Sequence, residues 1–275
     1  MPIRIGAVGY LNARPLTWAL DRDTARWQVR YDVPSVCADL LNRGEVDLGL
    51  IPSVEYLQQP DYRLVPGIGI GSLGPVASVA LYARVPVARI RSLALDTSSR
   101  TSVALVQVLC RHCFGIAPEL AAHGPDLGAM LARHDAALLI GDPAFGARHE
   151  ALGAHKIDLG ETWTAMTGLP FVYAAWTGRP GAVTAGDVAA LQEAQGEGLR
   201  NRAAIAAEYG AGDAGVTARA AEYLRDNVRY GLGPAECAGL QLFLDFAADL
   251  GLAPARRTLE FYGERGRVVV RPSDR

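Results

Sequence analysis

The stretch IRIGAVGYLNARPLTWALDRDTARWQVRYDVPSVCADLLNRGEVDLGLI, residues 3–51, decides the fold class. Its apolar run at 3–8 reads as a strand, 14–20 as a helix, 27–33 as a strand, 35–43 as a helix and 47–51 as a strand. Strands that alternate with helices in this way open a parallel α/β sheet, because the crossover helices carry the chain back to the same edge.

Working outward, 62–70 and 78–83 read as strands joined by the small-residue link Gly71-Ser72-Leu73-Gly74-Pro75, and Pro86 breaks the pattern. A second alternating unit follows: strand 92–95, helix 101–114, helix 126–133 and strand 136–140. After the aromatic run 171–176 the strands cease, and helical patterns occupy about 184–209, 215–230 and 234–250. The expectation is a two-lobed, periplasmic-binding-protein-like α/β fold with mainly parallel sheets flanked by helices and a ligand cleft between the lobes. Lobe 1 is discontinuous, residues 1–86 and 177–275, and lobe 2 is 87–176. Two crossings make a hinge. GAGDAG at 210–215 reads as a helix break, and the basic tail after Tyr262 is expected to fray.

Composition narrows the function classes. Half of the 275 residues are apolar, enough for a sizeable core. Lys plus Arg total 27 against 29 for Asp plus Glu, so the basic surplus that neutralises nucleic-acid phosphates or anionic lipid is missing. A small-molecule partner is expected, with neither nucleic acid nor membrane. The opening MPIRIGAVGY lacks the features of a secretory signal and no apolar stretch approaches bilayer length, so a cytoplasmic protein is expected. Cys110 and Cys113 form a CxxC without a second pair; within a helical pattern it reads as two buried thiols rather than a metal site.

Ligands of open α/β sheets collect beyond the carboxyl ends of strands, and four such loops are rich in small polar residues. In Gly9-Tyr10-Leu11-Asn12-Ala13-Arg14-Pro15, Asn12 caps a helix or reaches into a cleft. In Ile51-Pro52-Ser53-Val54-Glu55, Ser53 stands at a helix start. The densest cluster is Asp96-Thr97-Ser98-Ser99-Arg100-Thr101-Ser102, between a strand and a helix whose free N–H groups favour an anion; one of Ser99, Thr101 or Ser102 is also needed as a cap. In Gly141-Asp142-Pro143-Ala144, Asp142 caps a helix or faces the cleft. GxSxG, HExxH and the glycine patterns of nucleotide sites are absent, so no cofactor is expected. The five histidines, at 112, 123, 134, 149 and 155, lie outside these loops.

VGYLNARPL at 8–16, DLGLIPSVEY at 47–56, GPVASV at 74–79, SSRTSVALVQVL at 98–109, LLIGDPA at 138–144 and DLGETWTAMTGLPFVYAAW at 158–176 together resemble the chorismate dehydratase family of the futalosine route to menaquinone. The resemblance runs in order from residue 5 to about 176, the last motif being the most specific. It implies a carbon–oxygen lyase, cytoplasmic and free of cofactors and metals, that converts chorismate to 3-[(1-carboxyvinyl)oxy]benzoate and water. It also implies Asn12 and Ser78 as the polar groups closest to the reacting ring. Neither is a good base near neutral pH, so the substrate's own enolpyruvyl carboxylate is the expected proton acceptor. Ser98, Arg100, Thr101 and Ser102 are then candidate carboxylate holders, with Ser53, Asp142 and Trp163 as further contacts. Two alternatives stand beside this reading: the dihydroxynaphthoate-forming enzyme of the same pathway, which the GETWTAMTGLPF segment disfavours, and a non-catalytic receptor for small carboxylates.

Overall fold

In the computed structural model, which describes residues 1–263, the opening stretch forms the parallel core expected of it. Strand β1 (Ile3–Val8) pairs in parallel with both β2 (Trp27–Asp32) and β3 (Leu48–Pro52). The connections are α1 (Arg14–Thr17) and α2 (Pro34–Asn42), each with a proline in its first turn, where a missing N–H leaves no bond unmade. All five residues of β3 are buried, as a central strand covered on both faces requires.

The chain continues through β4 (Arg63–Ser72), β5 (Val79–Ala83), β6 (Ser92–Asp96), α3 (Arg100–Leu109), β7 (Glu119–His123), α4 (Leu127–Leu131), β8 (Ala136–Ile140), α5 (Gly141–Phe145), β9 (His155–Asp158), α6 (Leu159–Thr167) and β10 (Phe171–Gly178). It ends with α7 (Ala185–Arg200), α8 (Arg202–Gly210), α9 (Ala214–Glu222), β11 (Arg229–Leu232) and α10 (Pro234–Asp249). One sheet has six strands in the order β11-β4-β10-β3-β1-β2, the other five in the order β7-β6-β8-β5-β9.

Both sheets are mixed rather than mainly parallel. β10 runs antiparallel to β3 and β4, β11 antiparallel to β4, and β5 antiparallel to β8 and β9. The reason is the path between lobes: β4 carries the chain out of the first sheet and β10 carries it back, so as neighbours they must oppose each other.

That pairing also moves the crossings from the expected boundaries. β5 lies in the second sheet and β10 in the first, so the chain crosses at 73–78 and 159–170. The small-residue link after Ser72 is therefore a passage between lobes, turned by Gly74 (φ +87°) and by Ala77, a non-glycine residue at φ +64°. Helices α7 and α10 pack on the first sheet, as the returning chain was expected to do. The first helical pattern breaks at Asn201, and a short strand, β11, interrupts the last two. The basic tail beyond Gly263 lies outside the described residues.

One apolar cluster runs through both lobes, and a smaller one, around Tyr82, Met130 and Leu139, sits on the far face of the second sheet. Each fully buried large side chain contributes about 1.5–3 kcal/mol. At the end of α3 a π turn, Cys110–Phe114, rotates the expected pair of buried thiols apart: Cys110 is buried, its thiol pushed up to about 11 by burial, while Cys113 is exposed. No described helix is long and apolar enough to cross a membrane.

Candidate active site

The two sheets point their strand ends at one cavity of about 410 Å3, mouth included. Val8 and Tyr10 after β1, Pro52 at the end of β3, Ile70 on β4 and Tyr173 and Ala174 on β10 form the wall of the first lobe. Val79 on β5 and Ile140 and Gly141 after β8 form the wall of the second. The helix starts of α2 and α3 close the ring with Pro34, Ser99 and Ser102, and Asn12 projects from the turn after β1. This is the position beyond strand ends where α/β sheets take their ligands.

Asn12 resolves in favour of the cleft. No side chain caps the 3-10 turn Leu11–Ala13 or α1, and the Asn12 Oδ1 is buried without a hydrogen-bond partner. An orphaned buried acceptor on a cavity wall is a group waiting for a donor.

The hydroxyl cluster divides by function. Ser99 is the cap of α3, accepting the N–H of Ser102 at 3.4 Å, and Ser102 Oγ lies 3.2 Å from Ser99 Oγ; both face the cavity. Ser98 turns its hydroxyl back to Asp96 Oδ1 at 2.6 Å, and the other Asp96 oxygen accepts the N–H of Ile140 at 3.3 Å. Buried Asp96 thus ties the ends of β6 and β8 together and draws Ser98 off the wall.

Thr101 and Ser53 join the lobes rather than line the cavity. The Thr101 Oγ1 accepts the N–H of Val54 at 3.1 Å and lies 3.3 Å from Ser53 Oγ, which donates to the carbonyl of Val172 at 2.7 Å. Arg100 points outward from the helix start to Asp39 (2.7 Å) and to Glu55 (3.1 Å), so its charge is taken by the first lobe. Burial raises the pKa of Glu55 even so, with Arg100 opposing the shift. Asp142 bridges the lobes from the other side: its Oδ1 accepts the N–H of Leu11 at 3.0 Å, and it caps no helix by its side chain. Trp163 is core, with no exposed surface; its Nε1 donates to the carbonyl of Pro170 at 3.2 Å and its ring meets Phe171 edge-on at 5.2 Å.

Ser78 is 1% exposed and precedes Val79 of the wall. Its Oγ accepts a hydrogen bond from the Tyr223 hydroxyl at 2.7 Å. Nearby, Asp158 gathers four N–H groups, those of Val76, Ala77, Gly160 and Glu161, which pins the first crossing against the start of α6.

Of the candidate site residues the wall therefore holds Asn12 and Ser102, with the helix cap Ser99 beside them, and none of the charged ones. It adds Tyr10, whose side chain sequence reasoning passed over, and Tyr173, from the aromatic run that reads more readily as core than as cleft. The Tyr10 ring lies over the backbone of Gly141, where a Cβ would come within 2.7 Å of it; Gly141 has φ +63°. The Tyr173 hydroxyl meets Ser72 Oγ at 3.0 Å, leaving its ring on the wall. Burial raises the pKa of both, far more for Tyr173, so both are neutral at physiological pH. Tyr10 stood inside the VGYLN motif, whereas nothing in its helical surroundings singled out Tyr223. Among the described residues no three His, Cys, Asp or Glu side chains converge to hold a metal ion.

Comparison with known proteins agrees with this geometry. A family described as menaquinone biosynthesis matches residues 3–249. A chorismate dehydratase from Thermus thermophilus is 34% identical over 274 residues, covering 92% of this chain and 97% of that protein. Among solved structures, a protein from Archaeoglobus fulgidus superposes with a TM-score of 0.72 at 18% identity, covering 91% of this chain and 98% of its own. The periplasmic aliphatic sulphonate binding protein of Escherichia coli gives 0.63 at 20% identity, with 100% and 98% covered. At such identities these two speak for the fold alone, a two-lobed binding-protein architecture.

Proposed function

The chain belongs to the menaquinone biosynthesis family, and we infer that it is a carbon–oxygen lyase that converts chorismate to 3-[(1-carboxyvinyl)oxy]benzoate and water. The observation that carries the mechanism is the chemistry of the cavity wall. Its polar side chains are an amide, two serine hydroxyls and two neutral tyrosines, with no carboxylate, imidazole or amine to act as a base.

The reaction tolerates that lack. The proton on the ether-bearing ring carbon is acidified through the ring diene, and the enolpyruvyl carboxylate of the substrate lies within reach to take it. The C–H electron pair becomes the third ring double bond as the C–O bond to the neighbouring hydroxyl breaks. Hydroxide and proton leave as water, and aromatisation drives the step. The protein then has to hold one conformer and exclude bulk water, a task for the two lobes that meet around the cavity.

In this reading Asn12 offers its free oxygen to the substrate, and Ser78 orients the same end of the ring. Ser99, Ser102 and the N–H groups opening α3 receive a carboxylate, favoured by the helix dipole. The reading includes a cytoplasmic location, which fractionation of the native cells would test.

The experiment is incubation of chelator-treated protein with chorismate, following loss of the diene absorbance and the product mass. Catalytic loss of one water is the expected result; stoichiometric binding without turnover would leave a receptor. Asn12→Ala and Ser78→Ala should each cut turnover at least about tenfold with the fold intact, one hydrogen bond made in the transition state being worth about that factor or more. Wild-type rates in both would remove these residues from the site.

A further inference from the structure

We propose that Tyr223 is a positioning residue for the dehydration, its hydroxyl setting the hydrogen-bond polarity of Ser78 at one lobe crossing. The proposal rests on the reading of Ser78 above.

Tyr223 opens a π turn, Tyr223–Asn227, at the end of α9. Such a turn is an energetic liability in a helix and recurs at functional sites. Here it delivers a phenol into the interior, 2% exposed, with its ring tilted against Phe145 at 4.9 Å. A buried phenol needs a partner, and the partner is Ser78 Oγ at 2.7 Å.

The direction of that bond has a consequence. Burial pushes the Tyr223 pKa far up, so the phenol keeps its proton and is a permanent donor. With one Ser78 lone pair filled by it, the serine's own hydrogen is free to point elsewhere, and Ser78 becomes a donor. The Ser78 donor and the unpartnered Asn12 Oδ1 acceptor together offer both polarities that a hydroxylated ring requires. Because its proton is held so tightly, Tyr223 orients and does not relay.

The test is steady-state turnover of chorismate by Tyr223→Phe, Ser78→Ala and the double variant, with thermal melts of each. Tyr223→Phe should lower kcat about ten- to hundredfold with KM within about threefold, since the lost orientation matters mainly in the transition state. The double variant should be no slower than Ser78→Ala, because Tyr223 acts through Ser78. Phe145→Leu, which loosens the same ring without touching its hydroxyl, should keep kcat within about twofold. Three results overturn the proposal: wild-type kcat in Tyr223→Phe while Ser78→Ala is slow, losses that multiply in the double variant, or an equal loss in Phe145→Leu. Wild-type kcat in Ser78→Ala instead sinks the site reading itself, and is told apart from failure of the Tyr223 proposal.

Discussion

The Asp142 carboxylate at the start of α5 accepts the backbone N–H of Leu11 at 3.0 Å, joining the loop after β8 in one lobe to the loop after β1 in the other. Opposite it, the carbonyl of Ser98 accepts the N–H of Ser35 at 2.9 Å. The lobes are thus tied on both sides of the cavity.

Asp142 makes one of those ties sensitive to pH. Burial raises its pKa above the ordinary carboxylate value, outweighing the opposing pull of the Leu11 N–H, Arg14 and Tyr209. A carboxyl whose folded pKa exceeds its unfolded value of about 3.9 holds its proton more tightly when folded. Its contribution is most favourable below that value and is lost as pH rises through the folded pKa. At pH 7 the charge is a cost, so Asp142→Asn, which keeps an oxygen for Leu11, should melt no lower than wild type. Asp142→Ala leaves the Leu11 N–H unpaired and should lose about 1–3 kcal/mol. Thermal melts at pH 4 and pH 7 decide it: an Asn variant well below wild type at pH 7 would mean the charge itself stabilises the fold.

Arg100 is expected to behave as a structural cation. Glu55, its partner at 3.1 Å, has a side chain only 4% exposed, and Arg100→Ala would leave that carboxyl without its ion pair. The loss should be about 1–3 kcal/mol, below that of a fully buried pair because the Arg100 side chain is 38% exposed. The KM for chorismate should stay within about threefold. A tenfold rise in KM at unchanged melting temperature would return Arg100 to the ligand.

What could be read in advance follows from how local each signal is. β1, β3 and β8 stood out because apolar runs ended at polar or proline-bearing loops. β7 (ELAAH), β9 (HKID) and β11 (RYGL) did not: they are short, and the first is an alanine-rich edge strand. β10 was recognised as apolar, but all eight of its residues are buried, and such a run carries no mark of which sheet it joins. The hydroxyl cluster was legible as a site for the same reason. Which hydroxyl faces the cavity was not, because Asp96 captures Ser98 and the Val54 N–H captures Thr101, choices that only the folded loops make.

Trp163 illustrates the same limit and is open to a direct check. Fully buried between Phe171, Phe243 and Phe246, it should act on stability alone. Trp163→Phe removes the bond to the Pro170 carbonyl and opens a gap, costing about 1–3 kcal/mol. Denaturant melts should report that loss while the KM for chorismate holds within about twofold; a large change in KM without destabilisation would put the indole in the cavity.

Gly141 allows backbone strain and site shape to be separated. At φ +63° an added methyl costs about 1–2 kcal/mol from the backbone alone. Its Cβ would also sit 2.7 Å from the Tyr10 ring, so the ring must move off the wall. Gly141→Ala should therefore lose stability beyond the backbone cost and raise the KM for chorismate about tenfold or more. Combining it with Tyr10→Ala removes the clash, and the further destabilisation due to Gly141→Ala should then shrink to the backbone part. If the two changes simply add in stability, the ring is not braced by that glycine.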